Sequence, residues 1–295
     1  MRTYKKVALL LSLVNVSSAL AANTMPINTS LATPVAPTKS GVSDWLGISY
    51  FGQMTGPALG ELNTPTSVLH AADQYGEAVQ MNLYNDLRVD FKTGGIFKIR
   101  VSTRFEVLPL SDALNPNETD YFNMLDSRVG LVGTLLDNGK GFTLGSQFMA
   151  QLPVSASSAA SGMVFSPRVM LNPDYVIPQS RWNVGSYLVA QTYYYNSFSS
   201  ANTASNDLYF YFGPYSNYKI NSKWSGTLQL NVDTTHARNA PYTYSSFIVQ
   251  GTNAQLGANV DISKNFSLNP FFQVPIDNPQ LRTTFLGAYI SAKFL

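Results

Sequence analysis

From Trp45 to its end the chain alternates apolar and polar side chains with a period of two, broken at intervals by turn residues. Successive side chains of a β-strand point to opposite faces, so each segment acquires a greasy side and a wet side. An amphipathic helix cannot use this pattern, because its apolar stripe follows a period of about 3.6 residues. In the segment 222–235, Trp224, Leu228, Leu230 and Val232 share one face, while Ser225, Thr227, Gln229, Asn231 and Asp233 share the other. The segment 245–263 sets Ala254, Leu256, Ala258, Val260 and Ile262 against Asn253, Gln255, Asn259 and Asp261. In 96–107, Phe97, Ile99, Val101, Thr103 and Phe105 oppose Lys98, Arg100, Ser102, Arg104 and Glu106.

Twelve such segments are expected as strands: 45–56, 77–92, 96–107, 126–137, 141–153, 163–172, 181–195, 206–220, 222–235, 245–263, 265–276 and 282–295. Their connections alternate in length. Thr93-Gly94-Gly95, Asp137-Asn138-Gly139-Lys140, Asn221-Ser222 and Ser263-Lys264 are tight, and Asn172-Pro173-Asp174 opens a somewhat longer one. The residues there are those that tolerate hairpin backbone. The intervening connections, 57–76, 108–125, 154–162, 196–205 and 236–244, are long and polar, with a shorter one at 277–281. Short turns on one rim and long loops on the other belong to a transmembrane barrel, and with both termini on the short-turn side the strand count must be even.

The expected fold is therefore all-β: a transmembrane antiparallel up-and-down β-barrel of 12 strands around a polar lumen. Composition agrees with it, since 45% of residues are hydrophobic, with 17 Phe and 17 Tyr, and only 12% are charged. The aromatics Phe91, Phe97, Phe142, Trp182, Tyr218, Trp224, Phe266 and Phe294 fall on the greasy face near the short-turn rim. Rings gather in this way where a membrane meets water. A soluble sandwich, the alternative on composition, would leave two long strand edges open to aggregation; closure removes both.

The N-terminus reads differently. Met1-Arg2-Thr3-Tyr4-Lys5-Lys6 is basic, Val7 to Val14 is apolar, and Ala19-Leu20-Ala21 ends in small residues. These are the three parts of a secretory signal peptide, expected over 1–21 with cleavage after Ala21 or Ala22. Residues 22–43 are rich in Thr, Ser, Pro and Ala and read as a flexible extension, and 44–295 as the barrel. Removing Arg2, Lys5 and Lys6 leaves 16 Lys and Arg against 17 Asp and Glu, so net charge points to no nucleic-acid partner. With no cysteine, the exported chain is held by its strand pairing and packing rather than by disulfides.

The end of the chain, Phe285-Leu286-Gly287-Ala288-Tyr289-Ile290-Ser291-Ala292-Lys293-Phe294-Leu295, resembles the C-terminal strand of Gram-negative outer-membrane barrels. Those strands alternate and close on an aromatic residue; here Phe294 is penultimate and Leu295 follows. The resemblance implies the cell outer membrane as the compartment, outer-membrane lipid around the barrel, and insertion by the barrel-insertion machinery. In architecture the whole chain is porin-like and resembles the twelve-stranded oligogalacturonate and sialic-acid porins, with no shared motif beyond it.

Catalytic chemistry finds little support. The outer-membrane phospholipases carry His-x-Ser on a strand, whereas His236 is followed by Ala237 and Arg238, and His70 by Ala71 and Ala72. Without a base at the right spacing a serine hydroxyl stays unactivated, so no enzyme is expected. Thr93-Gly94-Gly95 lacks the lysine and helix start of a phosphate loop. The loop Asp112 to Asp120 gathers hard oxygens that calcium could use, but without regular ligand spacing; neither a metal nor a cofactor is assigned.

The wet face carries the sharper signal. By strand phase Arg88, Lys98, Arg100, Arg104, Arg128, Arg168, Arg181 and Lys223 point inward, five of them from the second to fourth strands. The acids Asp86, Asp90, Glu106, Asp233 and Asp261 point inward too, as do the rings of Tyr193, Tyr195, Tyr209 and Tyr211. A basic wall in a narrow pore favours anions, which predicts a diffusion channel for small polar or anionic solutes. The same residues could instead neutralise one another and plug the lumen, which predicts a structural or adhesion barrel with its long loops as contact sites. The tyrosines either fill the lumen or form a stacking track.

Overall fold

The computed structural model describes residues 45–58, 70–72, 78–80, 82–107, 122–196, 206–238, 240–276, 279 and 284–295. The expected signal peptide, the extension 22–43 and the loop Asp112 to Asp120 lie outside the described residues.

Among these, twelve long strands form one closed antiparallel barrel: β1 Leu46–Ala58, β2 Asn82–Lys92, β3 Phe97–Val107, β4 Phe122–Asp137, β5 Phe142–Leu152, β6 Met163–Val176, β7 Trp182–Thr192, β8 Asn206–Lys219, β9 Trp224–Ala237, β10 Phe247–Ser263, β11 Phe266–Pro275 and β12 Phe285–Lys293. Each strand pairs with its neighbours in sequence. The ring closes where β1 pairs with β12, with Gln53 opposite Tyr289, and β1 meets β2 on its other side. The pair Tyr194–Tyr195 prolongs β7 along β6, and a small hairpin joins His70–Ala72 to Ala78–Gln80. A five-residue helix, α1 (Ala156–Ala160), sits in the β5–β6 loop. Among the described residues no helix is long and apolar enough to cross a membrane. Strands of 9 to 17 residues cross instead, matching the ~9–11 that a tilted strand needs.

The strand boundaries depart most from expectation in three places. Residues 78–80 belong to the small hairpin, so β2 starts at Asn82 rather than 77. Strand β4 begins at Phe122, four residues before the expected 126. Strand β6 runs on to Val176 through Asn172-Pro173-Asp174, which had read as a turn. Pro173 has no N–H to give to β7, but the Asn172 side chain donates to the Ser186 carbonyl at 2.9 Å and bridges the gap. The turn falls instead at 177–181, where Gln179 takes the left-handed backbone at φ 59°.

The outer face is apolar and exposed. Leu87, Val101, Leu131, Phe148, Val169, Leu188, Phe212, Leu228 and Leu256 form its middle band. Near the short-turn rim Phe91, Trp182, Tyr218, Trp224 and Phe294 are exposed, with the Trp182 and Tyr218 rings 4.9 Å apart. A second ring of aromatics, absent from the sequence reading, stands at the long-loop rim: Phe105 stacks on Phe122 at 5.4 Å and Phe165 on Tyr194 at 4.8 Å. An apolar band between two aromatic girdles is the surface that a bilayer covers.

Inside, the lumen has two halves. Along β8 to β12 it is packed by an amide and aromatic ladder in which Gln229, Asn231, Gln255 and Phe271 are fully buried. Two glycines let rings lie flat against this wall. A Cβ on Gly213 would sit 2.3 Å from the Tyr211 hydroxyl, and one on Gly287 would sit 2.3 Å from Phe271 Cζ and 2.9 Å from the Met54 carbonyl. Gly287→Val is expected to destabilise the barrel by about 1–3 kcal/mol, since ring and backbone must both give way. The temperature at which the folded band converts in heat-modifiability gels measures this.

Candidate functional site

The other half of the lumen, walled mainly by β1 to β6 with Tyr187 of β7 and the end of β12 at its margins, holds a cavity of about 450 Å³. Its lining runs from Gly47, Lys92, Lys293 and Leu295 at the short-turn rim to Tyr84, Arg128, Arg168 and Tyr187 at its inner end. Seven cationic side chains line it, Arg88, Lys92, Lys98, Arg100, Arg128, Arg168 and Lys293, against two carboxylate side chains, Asp86 and Asp90.

The lower cations are paired. Strand register places Asp90 opposite Arg100, whose Nε and Nη2 donate to its two oxygens at 2.7 and 2.9 Å. Lys98 Nζ donates to the same carboxylate at 2.5 Å. Arg88 and Asp86, two apart on one face of β2, are bridged at 2.8 Å, and the Arg88 guanidinium lies 5.1 Å from the centre of the Phe51 ring. Both cavity acids are thus paired, Asp86 through Oδ2 alone, its Oδ1 being buried without a hydrogen bond.

The inner cations are held differently. Arg104 is 2% exposed and its Nε donates to the Asp126 backbone carbonyl at 2.6 Å, while its Nη1 is buried without a hydrogen bond. Arg128 donates through Nε and Nη2 to the single oxygen Gln151 Oε1, at 3.3 and 3.2 Å. Arg168 Nη1 donates to Gln191 Oε1 at 3.0 Å. These acceptors are neutral. Arg104 and Arg168 both lie close enough to Arg128 to repel it.

The nearby carboxylates are occupied elsewhere. Asp126 accepts from Gln151 Nε2 and the Ser155 N–H, both at 2.9 Å, and from Ser158 Oγ at 2.5 Å. It thereby ties down the start of α1, whose N-cap is Ser155. Glu106 is buried on β3, facing Tyr84 of β2 and Asn123 of β4 in register. Asp233 accepts the Tyr209 hydroxyl in the packed half.

The four inward tyrosines are divided. Tyr211 donates to Asn231 Oδ1 at 2.6 Å and accepts from Gln229 Nε2 at 2.7 Å, so both Tyr209 and Tyr211 turn their hydroxyls into the ladder. Tyr193 packs on the same cluster. Tyr195 donates to the Asn206 carbonyl at 2.8 Å and carries the Arg238 guanidinium 4.4 Å from its ring centre. The rings that do line the cavity are Tyr50, Phe51, Tyr84 and Tyr187, with Met149 and Met170 beside them. Strand phase places Tyr84 with Asp86 and Arg88, a signal present in the sequence. Lys92 and Lys293 could have been found the same way.

Three expected pore-lining residues belong elsewhere. Arg181 is exposed in the turn before β7 and donates weakly to the Ile220 carbonyl at 3.4 Å. Lys223 is exposed in the turn before β9, and Asp261 is exposed at the short-turn end of β10. Phase alone points them inward, but they stand at the rim rather than inside the lumen.

His236 is buried at the long-loop end of β9. Its Nδ1 lies 2.6 Å from Asp207 Oδ1, and its ring stacks on Tyr242 at 4.4 Å. Its Nε2 faces the Pro241 carbonyl at 3.4 Å, so both ring nitrogens are directed at acceptors rather than at a hydroxyl nucleophile. For His70 only the backbone is described. Among the described residues no group of three His, Asp or Glu could hold a metal.

No protein-family model and no curated protein matches the chain. Among solved structures it is similar to an outer membrane channel from Pseudomonas putida F1, with a TM-score of 0.56, 11% identity, and 92% of this chain and 100% of that chain covered. It is also similar to the NanC porin, with a TM-score of 0.47 and 10% identity over 84% of this chain and 99% of that one. A third, the KdgM porin, gives 0.44 and 9% over the same shares. The fold is that of the outer-membrane porin-type barrels.

Proposed function

We propose that this barrel is an outer-membrane channel that passes small polar and anionic solutes. The observation that carries the proposal is the lining of the cavity, seven cationic side chains against two acidic ones that are themselves paired. Charges around a narrow aqueous passage act on every ion in it, because none can move farther away than a Debye length, ~8 Å at physiological salt. The chain is exported by its N-terminal signal, cleaved after Ala21 or Ala22, placed by the barrel-insertion machinery and held by outer-membrane lipid.

The experiment is conductance of the purified barrel in a planar bilayer under a potassium chloride gradient. Discrete steps are expected, with a reversal potential on the chloride side. A second interpretation, a plugged structural or adhesion barrel with no enzymatic role, draws on the fully buried Gln229, Asn231 and Gln255 of the packed half. Membranes that hold folded barrel yet show no steps would favour it.

A further inference from the structure

We propose that the inner end of the cavity is a binding site for a tetrahedral oxyanion, a phosphate or sulfate group, held on Arg128 and Arg168 with Arg104 directly behind. The inference rests on the channel reading for its purpose, though not for its chemistry.

The case begins with a cost. Arg104 and Arg128 come from adjacent strands and repel one another, yet among the described residues neither is within salt-bridge distance of a carboxylate. Buried charges are ordinarily paired, because leaving water is expensive for an unpaired ion. The nearby acids bond elsewhere: Asp86 to Arg88 through Oδ2, so that it acts on Arg104 and Arg128 only from beyond salt-bridge distance, and Asp126 to Gln151, Ser155 and Ser158. Arg168 adds a third positive charge to the same tier, on top of its bond to Gln191. The protein thus concentrates positive charge at the inner end of the cavity and gives Arg104 and Arg128 neutral hydrogen-bond acceptors.

The donor geometry indicates the missing anion. Arg128 uses two nitrogens on one amide oxygen at 3.2 and 3.3 Å, longer than good charge-assisted bonds of ~2.7–2.9 Å. Arg104 keeps Nη1 buried without any partner. Guanidinium donors reaching in from β4 and β6, with the Arg104 charge of β3 behind them, suit an anion with acceptors on several sides, which a tetrahedral oxyanion has and chloride lacks. A cavity of about 450 Å³ also has room for a body beyond the oxyanion, so the group can arrive free or as an ester.

The test uses the full folded barrel in detergent, at low salt, with heat-modifiability as the folding check. The thermal midpoint is measured with sodium phosphate, sodium sulfate, glycerol phosphate and sodium chloride at equal ionic strength. A ligand that binds only the folded state raises the midpoint with concentration. Phosphate or sulfate should raise it well beyond chloride, and the glycerol phosphate arm tells a site for free ions from one that accepts esters. Arg104→Gln should raise the midpoint in anion-free buffer, because it relieves repulsion, and should shrink the phosphate-induced rise. Arg128→Gln, at the cavity face, should shrink that rise as well.

Equal shifts for chloride and the oxyanions would overturn the site, as would an Arg104→Gln barrel that loses stability and keeps the full phosphate response. Because these readouts need no current, absence of conductance would count against the channel and leave the site standing. Conductance without oxyanion stabilisation would do the reverse.

Discussion

Replacing Arg128 by glutamate is expected to turn an anion-preferring channel toward cations, lowering the chloride-to-potassium permeability ratio by roughly tenfold or more at low salt. The substitution changes the local charge by two at the inner end of the cavity, where among the described residues Arg128 hydrogen-bonds the neutral Gln151 alone. Two unit charges 4 Å apart interact by ~1 kcal/mol in water and ~4 kcal/mol near a protein surface, and each 1.4 kcal/mol is a factor of ten. Opposite effects on the two ions therefore multiply. Arg100→Gln should do much less. Arg100 shares Asp90 with Lys98, so its removal leaves that carboxylate still paired and takes away one charge, at the rim side of the cavity, where Arg128→Glu changes two at the inner end. The measurement is the reversal potential across a tenfold salt gradient, repeated at high salt, where screening should shrink the difference. A shift from Arg100→Gln half or more of that from Arg128→Glu, in proportion to the charge each removes, would mean that paired and amide-held arginines contribute alike, and the inner tier would lose its special standing.

That contrast marks where sequence and structure part. Strand phase correctly puts Asp86, Arg88, Asp90, Arg100, Arg104, Arg128 and Arg168 on one wet wall, because alternation reports face and little else. It cannot report height along the barrel. Arg181, Lys223 and Asp261 have the same phase yet stand at the rim, since they fall at strand ends where the wall has run out. Nor can it report pairing. Asp90 meets Arg100 because the β2–β3 hairpin fixes that register, whereas Arg104 lies opposite Asp86, which bonds Arg88 instead. The choice between two arginines depends on side-chain reach, which no period encodes. The architecture was more legible, because each hairpin turn and each long loop is a local signal. Its main error, the turn read at Pro173, arose because a side-chain hydrogen bond from Asn172 did what a backbone N–H would have done.

A second expectation follows from the division of the lumen. An arginine at Leu228, in the middle of the lipid-facing band, should cost ~2–4 kcal/mol and sharply reduce the yield of assembled barrel. Alternation alone suggests that the next residue, Gln229, would accept the same charge. The structure predicts otherwise, because Gln229 is 1% exposed and donates to Tyr211 at 2.7 Å and Asn231 at 2.5 Å. An arginine there would bury a cation in a ladder whose carboxylate, Asp233, stands four residues along the strand and already accepts from Tyr209, and it would overfill the packed half. Gln147, also inward but lining the cavity, offers the opposite surroundings. Water can reach an arginine at 147, and repulsion from neighbouring cations across water is ~1 kcal/mol at contact distance. Leu228→Arg and Gln229→Arg should therefore both assemble poorly, and Gln147→Arg should give near-normal heat-modifiable barrel. Good assembly of Gln229→Arg would show that the β8 to β12 side is hydrated and that the passage is wider than the cavity alone. Poor assembly of Gln147→Arg would show instead that the cationic half is closed to water, leaving no aqueous path beside the arginine tier.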